Sequence, residues 1–539
     1  MDTRVFIVSN IKLSVNASPN EAFSIAKERL KKAGLSVNDA DFKIFKRSVD
    51  ARKKDNILFV YSISASGVSG NALKNRLIDN GISLLNEPTL GKIKPGTERL
   101  KAPPLVVGAG PAGLFSALCL AENGYRPVLI ERGGDITARR LAVDRFYKTG
   151  KLDTNSNIQF GAGGAGTFSD GKLVTRINDP YTGYVMNKLI ECGAPSEIAY
   201  IAKPHIGTDV LSVVVDNVLE RIKSLGGTVI FNTTYLESYE SGGISVAKTD
   251  KLDIPYGALV LAIGHSARDT YKMLLNAGYD VEAKPFSVGM RIEHLTEDVD
   301  KALYGDFAGN ESLGHAEYNL SSNTKVRGVY TFCMCPGGEV VAAASEEGGV
   351  VVNGMSYSKR DAKNSNSAVV CSVFREDYGN TPEAAIEFQR KIERAAFAAG
   401  GGDYKAPCIT VGDFLNGQLK NEPSRVLPSY MGGGRVTLKS PDEYLPDFVT
   451  GAIKNALIDF DKKISGFAAK DAVLTGPETR TSAPIRILRD FDTRLANRHD
   501  NVYPTGEGAG YAGGITSAAI DGLRTAIAII ERFSPKIDG

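Results

Sequence analysis

Three glycines at fixed spacing, Gly108, Gly110 and Gly113, carry the plainest chemical signal in this chain. In the stretch 104–133, PLVVGAGPAGLFSALCLAENGYRPVLIERG, an apolar strand at 105–107 runs into them. A helix pattern continues to about Asn123, and a second strand at 127–130 ends on Glu131. Gly108 permits a tight turn, Gly110 brings backbone amides close to a diphosphate, and Gly113 lets helix and strand pack closely; Ala109, Pro111 and Ala112 complete the loop. An anion on this turn sits at a helix N-terminus, where unpaired amides and the helix dipole favour it. Glu131, with Arg132 beside it, stands where an acid accepts from ribose hydroxyls. Strand, turn, helix, strand and acid together predict a dinucleotide site.

The far C-terminal segment narrows the choice of dinucleotide. Residues 501–521 read NVYPTGEGAGYAGGITSAAID, and a helix pattern follows to about Phe533. This is a second strand–glycine turn–helix unit, on the order of 400 residues after the first. A nicotinamide domain closes locally, within roughly 150 residues. A chain that leaves its nucleotide domain, builds another and returns is organised like a two-domain flavoprotein. The segment resembles the flavin-closing turn of such proteins, where an acid after glycine bonds a ribityl hydroxyl. Gly506 and Glu507 take those places, with Glu where Asp is usual. Gly514 and Ile515 open the helix, whose N-terminus favours negative charge on a reduced ring. FAD is therefore the expected cofactor.

Other clusters admit competing readings. In 160–172, FGAGGAGTFSDGK, the run from Gly166 to Lys172 fits seven positions of a P-loop. Leu173 replaces the hydroxyl that would hold magnesium, so nucleotide hydrolysis is not expected. Gly166, Ser169 and Lys172 are expected to hold the flavin diphosphate or ring edge, a structural glycine turn being the alternative. In GHSARD (264–269), adjacent His and Ser cannot form a base–nucleophile pair and no GxSxG elbow is present. Ala262 and Gly264, at a strand end, are expected to touch the dinucleotide instead. Five residues are the candidate catalytic set: Arg291, Glu293, His294, Cys333 and Cys335. Strand alternation puts Arg291 and Glu293 on one face. His294 is a candidate general acid, set against a solvated strand end. Cys333 and Cys335, one residue apart, form only a strained disulfide, so a redox or substrate role competes with ordinary thiols in a tight loop. Arg480, Arg486 and Arg489 make a basic stretch for an anionic substrate or a cofactor phosphate, or else a surface ion-pair face. His205, in AKPHIGTD, is left open. No metal site is expected.

The elements that must position these residues follow from pattern and composition. The chain has 539 residues, 57 of them Gly, and a net charge of +2. That length accommodates two or three domains. Residues 1–86 read as a small ferredoxin-like α+β domain. It has a strand at 5–15, a capped helix at 18–33, a hairpin of 42–49 with 57–64, and a helix at 71–79. Residues 87–103 read as a linker. Residues 104–283 form the first part of an FAD-binding domain, 284–500 an inserted α+β substrate domain, and 501–539 the return. Strands alternating with helices argue a doubly wound, Rossmann-like α/β sheet. A single strand is expected at 256–263. Six scattered cysteines fit reduced thiols in a cytoplasmic protein. The N-terminus has no signal-peptide pattern, and no apolar run approaches a membrane span. Residues 1–101 hold 18 basic and 10 acidic side chains, so this stretch is net +8 and the remainder −6. No second strand–GxGxxG–helix unit occurs, so a nicotinamide donor, NAD(P)H, must dock transiently.

Eight segments together resemble the bacterial family of uncharacterised FAD-dependent dehydrogenases. They are VVGAGPAGLFSALCLAENGYRPVLIERG, QFGAGGAGTFSDGKL, AKPHIGTD, LAIGHSARDT, FSVGMRIEH, TFCMCPGG, NGMSYSKRDAKNSNSA and YPTGEGAGYAGGITSAAIDG. The family carries a small N-terminal domain before a glutathione-reductase-like flavin fold. Where it usually has an acid, this chain has Ala162. The resemblance implies bound FAD and an oxidoreductase, with no substrate named. The expected activity is exchange of hydride or electrons between flavin and a small molecule. Two alternatives are a flavin-dependent RNA-modifying enzyme using the basic first domain, and a redox-sensing flavoprotein without turnover.

Overall fold

A computed structural model describes residues 4–70, 73–85, 91–174, 179–323 and 327–537. The chain divides into two compact units. The first comprises Met1–Gly91 with Asn178–His205 and Glu297–Ala316; the second comprises the remaining three segments.

The first unit is built on a four-stranded antiparallel sheet in the spatial order Asp41–Asp50, Leu58–Ser66, Phe6–Ser14, Ile82–Leu84. Strand, helix, two strands, helix and strand succeed one another in a split βαββαβ arrangement. The helix Pro19–Lys32 opens on the capping box that the sequence shows: Ser18 accepts from Asn20, and Glu21 accepts from the Ser18 backbone. The second helix is Lys74–Asp79; the first two positions of its expected span lie outside the described residues. So do residues 87–90 of the expected linker. The expected span 1–86 is narrower than this unit, because two later segments fold with it. Arg47 exchanges backbone hydrogen bonds with Tyr200 and Ala202. Asn310 bonds Asn16 through their side chains.

Among the described residues the second unit holds two main sheets, besides one three-stranded and three two-stranded ones. The smaller is five parallel strands in the order Val502–Pro504, Leu259–Leu261, Leu105–Val107, Val128–Ile130, Thr228–Ile230. In chain order this is 5-4-1-2-3, with the reversal between the first strand and the fourth. A doubly wound sheet opens a crevice at that switch point, beyond the C-terminal strand ends. All residues of the first strand are buried, as a strand covered on both faces requires. The expected strand at 256–263 is two pieces: Asp253–Tyr256 closes a three-stranded antiparallel sheet, and Leu259–Leu261 enters the parallel one. Gly257 sits at the break, where a Cβ would lie 2.6 Å from the Ala102 carbonyl.

The larger sheet has seven strands, with Phe286–Leu295 at its centre between Asn364–Val373 and Val473–Glu478. Every residue of the central strand is buried. One face is covered by the helix Asp447–Lys463 and the other by the hairpin Glu339–Ala342 with Val352–Met355. Alternation therefore sends Arg291 and Glu293 one way and His294 the other. Among the described residues no helix is long and apolar enough to cross a membrane.

Candidate functional site

The crevice at the switch point opens into a cleft of about 1510 Å³, open solvent included, lying wholly within the second unit. Its floor is the first glycine turn. Gly108 adopts φ +102°, and a Cβ there would lie 2.4 Å from the Ala262 carbonyl. A Cβ on Gly113 would lie 1.9 Å from the Gly108 carbonyl, so helix and strand touch there without a side chain between them. Gly110 caps the helix Pro111–Glu122 without any side-chain hydrogen bond. Gly514 caps the helix Ile515–Arg532 in the same bare way. Both cap glycines line the cleft. Two uncapped helix N-termini thus present amides and positive dipole ends to one space.

Glu131 lines the cleft, but its carboxylate accepts backbone N–H groups from Ala109 at 2.8 Å, Gly133 at 2.9 Å and Gly161 at 3.0 Å. Three of about four acceptor sites are engaged. Glu131 therefore fastens the glycine turn to its neighbours and keeps one site for a hydroxyl. Arg132 lies over the Phe160 ring and bonds Asp269 and Thr270. Ser169 donates to the Gly166 carbonyl at 2.6 Å and accepts from Gly171. Lys172 is held by Asp170 at 2.6 Å and Glu317 at 3.3 Å. Burial opposes its charge, yet those two carboxylates keep it above the ordinary lysine range. Arg360 completes this group by bonding both Asp170 and Glu317.

Of the expected cofactor residues, Gly108, Gly110, Pro111, Ala112, Glu131, Arg132, Gly166, Ser169, Lys172, Ala262, Gly264, Glu507, Gly514 and Ile515 line the cleft. Ala109, Gly113 and Gly506 lie behind it and shape its turns. The Glu507 backbone carbonyl accepts from Gly510 at 2.9 Å, while its carboxyl has no hydrogen-bond partner among the described residues. Burial pushes its carboxyl up to about 7, with Lys284 pulling the other way. An unpartnered acid, two bare helix ends and a glycine cradle in one cleft fit a cofactor with a diphosphate and a polyhydroxyl chain.

The expected catalytic residues separate. Cys333 and Cys335 line the cleft. Arg291 is fully buried behind them, with Nε 2.6 Å from Glu478 and Nη1 2.8 Å from both the Cys333 carbonyl and Asn366. Nη2 donates to Asn353. Burial works against its charge and Glu478 more than offsets it. Arg291 therefore positions the Cys333 loop and does not reach the cleft. Glu293 is a structural clamp, accepting from Asn364 at 2.8 Å and from the Ser429 hydroxyl at 2.6 Å. His294, on the opposite face, donates from Nε2 to the Phe467 carbonyl at 2.8 Å and packs on that ring. Its expected role as general acid fails because strand alternation turns it into the helix layer.

Residues that sequence reasoning did not place include Asp170, Asn353, Gly354 and Glu478, all on the lining. Glu478 stands two residues before Arg480, where alternation gives both the same face; that spacing was the available signal. His265 also lines the cleft. Burial, followed by the nearby Arg480 and Arg268, pushes its imidazole down to about 4, so it is neutral at pH 7. Arg480 lines the cleft and pairs with Glu393 at 3.0 Å. Arg486 instead pairs with Glu282, and Arg489 with Asp521 while lying on Tyr511. The basic stretch is thus three separate ion pairs. His205 belongs to the first unit.

Strand order and glycine turns define a dinucleotide-binding α/β protein. Residues 285–481 match the family of FAD-dependent proteins with this C-terminal domain ("FAD-dependent protein, C-terminal domain-like"). Residues 7–66 match a domain of unknown function, DUF8436. The chain belongs to the same family as an uncharacterised protein of Clostridium beijerinckii, 48% identical over 531 residues and covering 98% of each chain. FAD is its cofactor. Among solved structures, CtdE in complex with FAD is 13% identical with a TM-score of 0.33, covering 79% of this chain and 84% of that one. FqzB is 10% identical with a TM-score of 0.37, covering 80% and 77%. Likenesses this weak say nothing about the reaction.

Proposed function

We propose that this protein is an FAD-dependent oxidoreductase of the dehydrogenase type, acting on a small molecule in the cleft. The observation that carries this reading is the make-up of the lining. Part of it is glycine turns and helix ends, fitted to a nucleotide; the rest includes side chains that a dinucleotide does not need. Those are His265, Cys333, Glu478 and Arg480.

Bound FAD supplies hydride or single-electron exchange with a substrate or with a transiently docked nicotinamide. The chain's own residues do the rest. The backbone N–H groups of Gly110 and Ala112 would hold the diphosphate, Glu131 the adenosine ribose through its remaining acceptor site, and Glu507 the ribityl chain. The N-terminus of the helix Ile515–Arg532 would favour negative charge on a ring held against it. Arg480 and Lys172, each already paired with a carboxylate, are two of the three cations on the lining and would face an anionic or carbonyl group of the substrate. Neutral His265 accepts or donates one hydrogen bond without bringing charge.

Anaerobic mixing of the FAD-loaded protein with NADH, NADPH and a panel of small metabolites, followed by flavin absorbance, tests the reading. At least one donor should bleach the flavin within seconds. A flavin that no two-electron donor reduces overturns it.

A further inference from the structure

We propose that Arg480 is the receptor for a carboxylate on the substrate, and that Glu393, which lies behind the cleft, is the residue that positions it. The proposal rests on the flavin reading above and narrows the substrate to a small carboxylic acid.

The helix Pro382–Ala399 brings Gln389 and Glu393, four residues apart, to one face. Both residues are buried. Gln389 donates to the Thr479 carbonyl at 2.9 Å and so fixes the backbone just before Arg480. Glu393 accepts from Arg268 Nη1 at 2.8 Å, Arg268 Nη2 at 2.7 Å and the Thr479 hydroxyl at 2.6 Å. It also accepts from Arg480 Nε at 3.2 Å and Arg480 Nη2 at 3.0 Å. A carboxylate offers about four acceptor sites, so Glu393 has none left for a ligand. What it does is hold two guanidinium groups in place. Arg268 donates further to Gln389 at 3.0 Å and to Glu346 at 2.6 Å, and it stays off the lining.

Arg480 differs because it lines the cleft, with its side chain only 4% exposed. A guanidinium carries five N–H groups. Those of Nε and one on Nη2 go to Glu393, and one on Nη1 goes to the Ser345 hydroxyl. One N–H on each terminal nitrogen is therefore unengaged among the described residues. Glu346 stands 3.9 Å from Nη2, beyond hydrogen-bond reach. Unused donors on a buried cation are costly, and two of them on one planar group match the two oxygens of a carboxylate. The charges agree. In this cluster Arg268, Arg390, Arg394 and Arg480 pair with Glu346, Glu387 and Glu393, which leaves one positive charge. A carboxylate balances it, whereas a phosphate monoester, near −2, overshoots. The cofactor diphosphate has donors of its own at the two bare helix ends.

The test is ligand binding to the FAD-loaded protein, read by calorimetry and by shifts in flavin absorbance. The probes are acetate, hexanoate, benzoate and phenylacetate, each beside its amide, with inorganic phosphate as a third class. At least one acid should bind, and its amide should bind about tenfold more weakly or worse. Arg480→Gln should weaken that acid by about 100-fold, the scale of two charge-assisted hydrogen bonds, and leave the amide and FAD unchanged. Glu393→Gln, which keeps the side-chain volume, should weaken the acid by about tenfold and not the amide, a split that general loss of structure does not give. If Glu393→Gln fails to fold, Ser345→Ala removes only the Nη1 anchor and should weaken the acid about threefold to tenfold. Binding of none of the acids, equal binding of acid and amide, or phosphate binding more tightly than every acid would each overturn the proposal. So would wild-type affinity for the acid in Arg480→Gln, or in both Glu393→Gln and Ser345→Ala. Arg480→Gln that loses FAD as strongly as the acid would assign the donors to the cofactor and overturn it too. Acids that bind through Arg480 beside a flavin no two-electron donor reduces would instead sink the dehydrogenase reading and leave this site standing.

Discussion

At Glu507 a carboxyl faces the cleft without a hydrogen-bond partner among the described residues, and burial pushes it up to about 7 from 4.5. A raised carboxyl means that the folded state prefers the neutral form. Its contribution to stability is complete below about pH 4.5 and is lost as pH rises through about 7. Glu507→Gln removes that loss. The melting temperature of FAD-free Glu507→Gln should fall less between pH 5 and 8 than that of the wild type, and parallel curves would refute the assignment. His265 has the opposite sign. Its imidazole is pushed down to about 4 from 6.5, so its contribution is present above pH 6.5 and disappears as pH falls through 4. His265→Gln should blunt acid unfolding in that window, as followed by circular dichroism. Arg291 is a different kind of residue, because removing it strands Glu478 as an uncompensated buried charge. Arg291→Met should cost about 3–5 kcal/mol in urea denaturation. Lysine, with one ammonium group, cannot restore a set of contacts spread over Glu478, Asn353, Asn366 and the Cys333 carbonyl.

The first glycine turn separates a residue needed for folding from one needed for binding. A methyl group on Gly113 would lie 1.9 Å from the Gly108 carbonyl, whereas on Gly110 its nearest neighbour is Gly164 Cα at 3.8 Å. Gly113→Ala should therefore lower the melting temperature even without FAD, at a cost of about 1–3 kcal/mol from overpacking. Gly110→Ala should melt normally without FAD and bind it at least tenfold more weakly, as read by flavin fluorescence. Equal melting temperatures for the two FAD-free variants would contradict this division. These turns were legible because glycine spacing, an apolar strand and a helix pattern all constrain one short stretch. The central strand Phe286–Leu295 was legible only by half. Alternation grouped Arg291 with Glu293 and apart from His294, but it is silent on which face meets a cleft and which meets a helix. That depends on the hairpin Glu339–Ala342 with Val352–Met355, contributed from farther along the chain. Asp170, Arg360 and Glu317 were missed for the same reason: their pairing spans up to 190 residues, and no local pattern encodes it. The bulge at Cys333 in the strand Gly328–Cys335 leaves no mark in hydrophobic periodicity, because one extra residue in a strand reads as ordinary sequence.

On the scale of the whole molecule, the first compact unit is discontinuous. Segments 178–205 and 297–316 fold with residues 1–91, through the Arg47–Tyr200 and Asn16–Asn310 contacts among others. Truncation at residue 92 leaves both segments without their sheet. Such a protein should be poorly soluble or cleaved first by protease within 178–205 and 297–316, as mapped by limited proteolysis. A soluble truncation with the parent's digestion pattern would show that the sheet is dispensable. The parallel sheet has a related property, since its fifth strand, Val502–Pro504, and the bare helix end at Ile515 come from late in the chain. During translation the ribosome must therefore release the chain well past residue 515 before the second wall of the nucleotide crevice exists. A nascent chain stalled ahead of residue 500 can fold strands and helices, yet should not retain the yellow ligand. Colour thus reports synthesis past these two elements, and a stop codon placed just before residue 502 should give a colourless product.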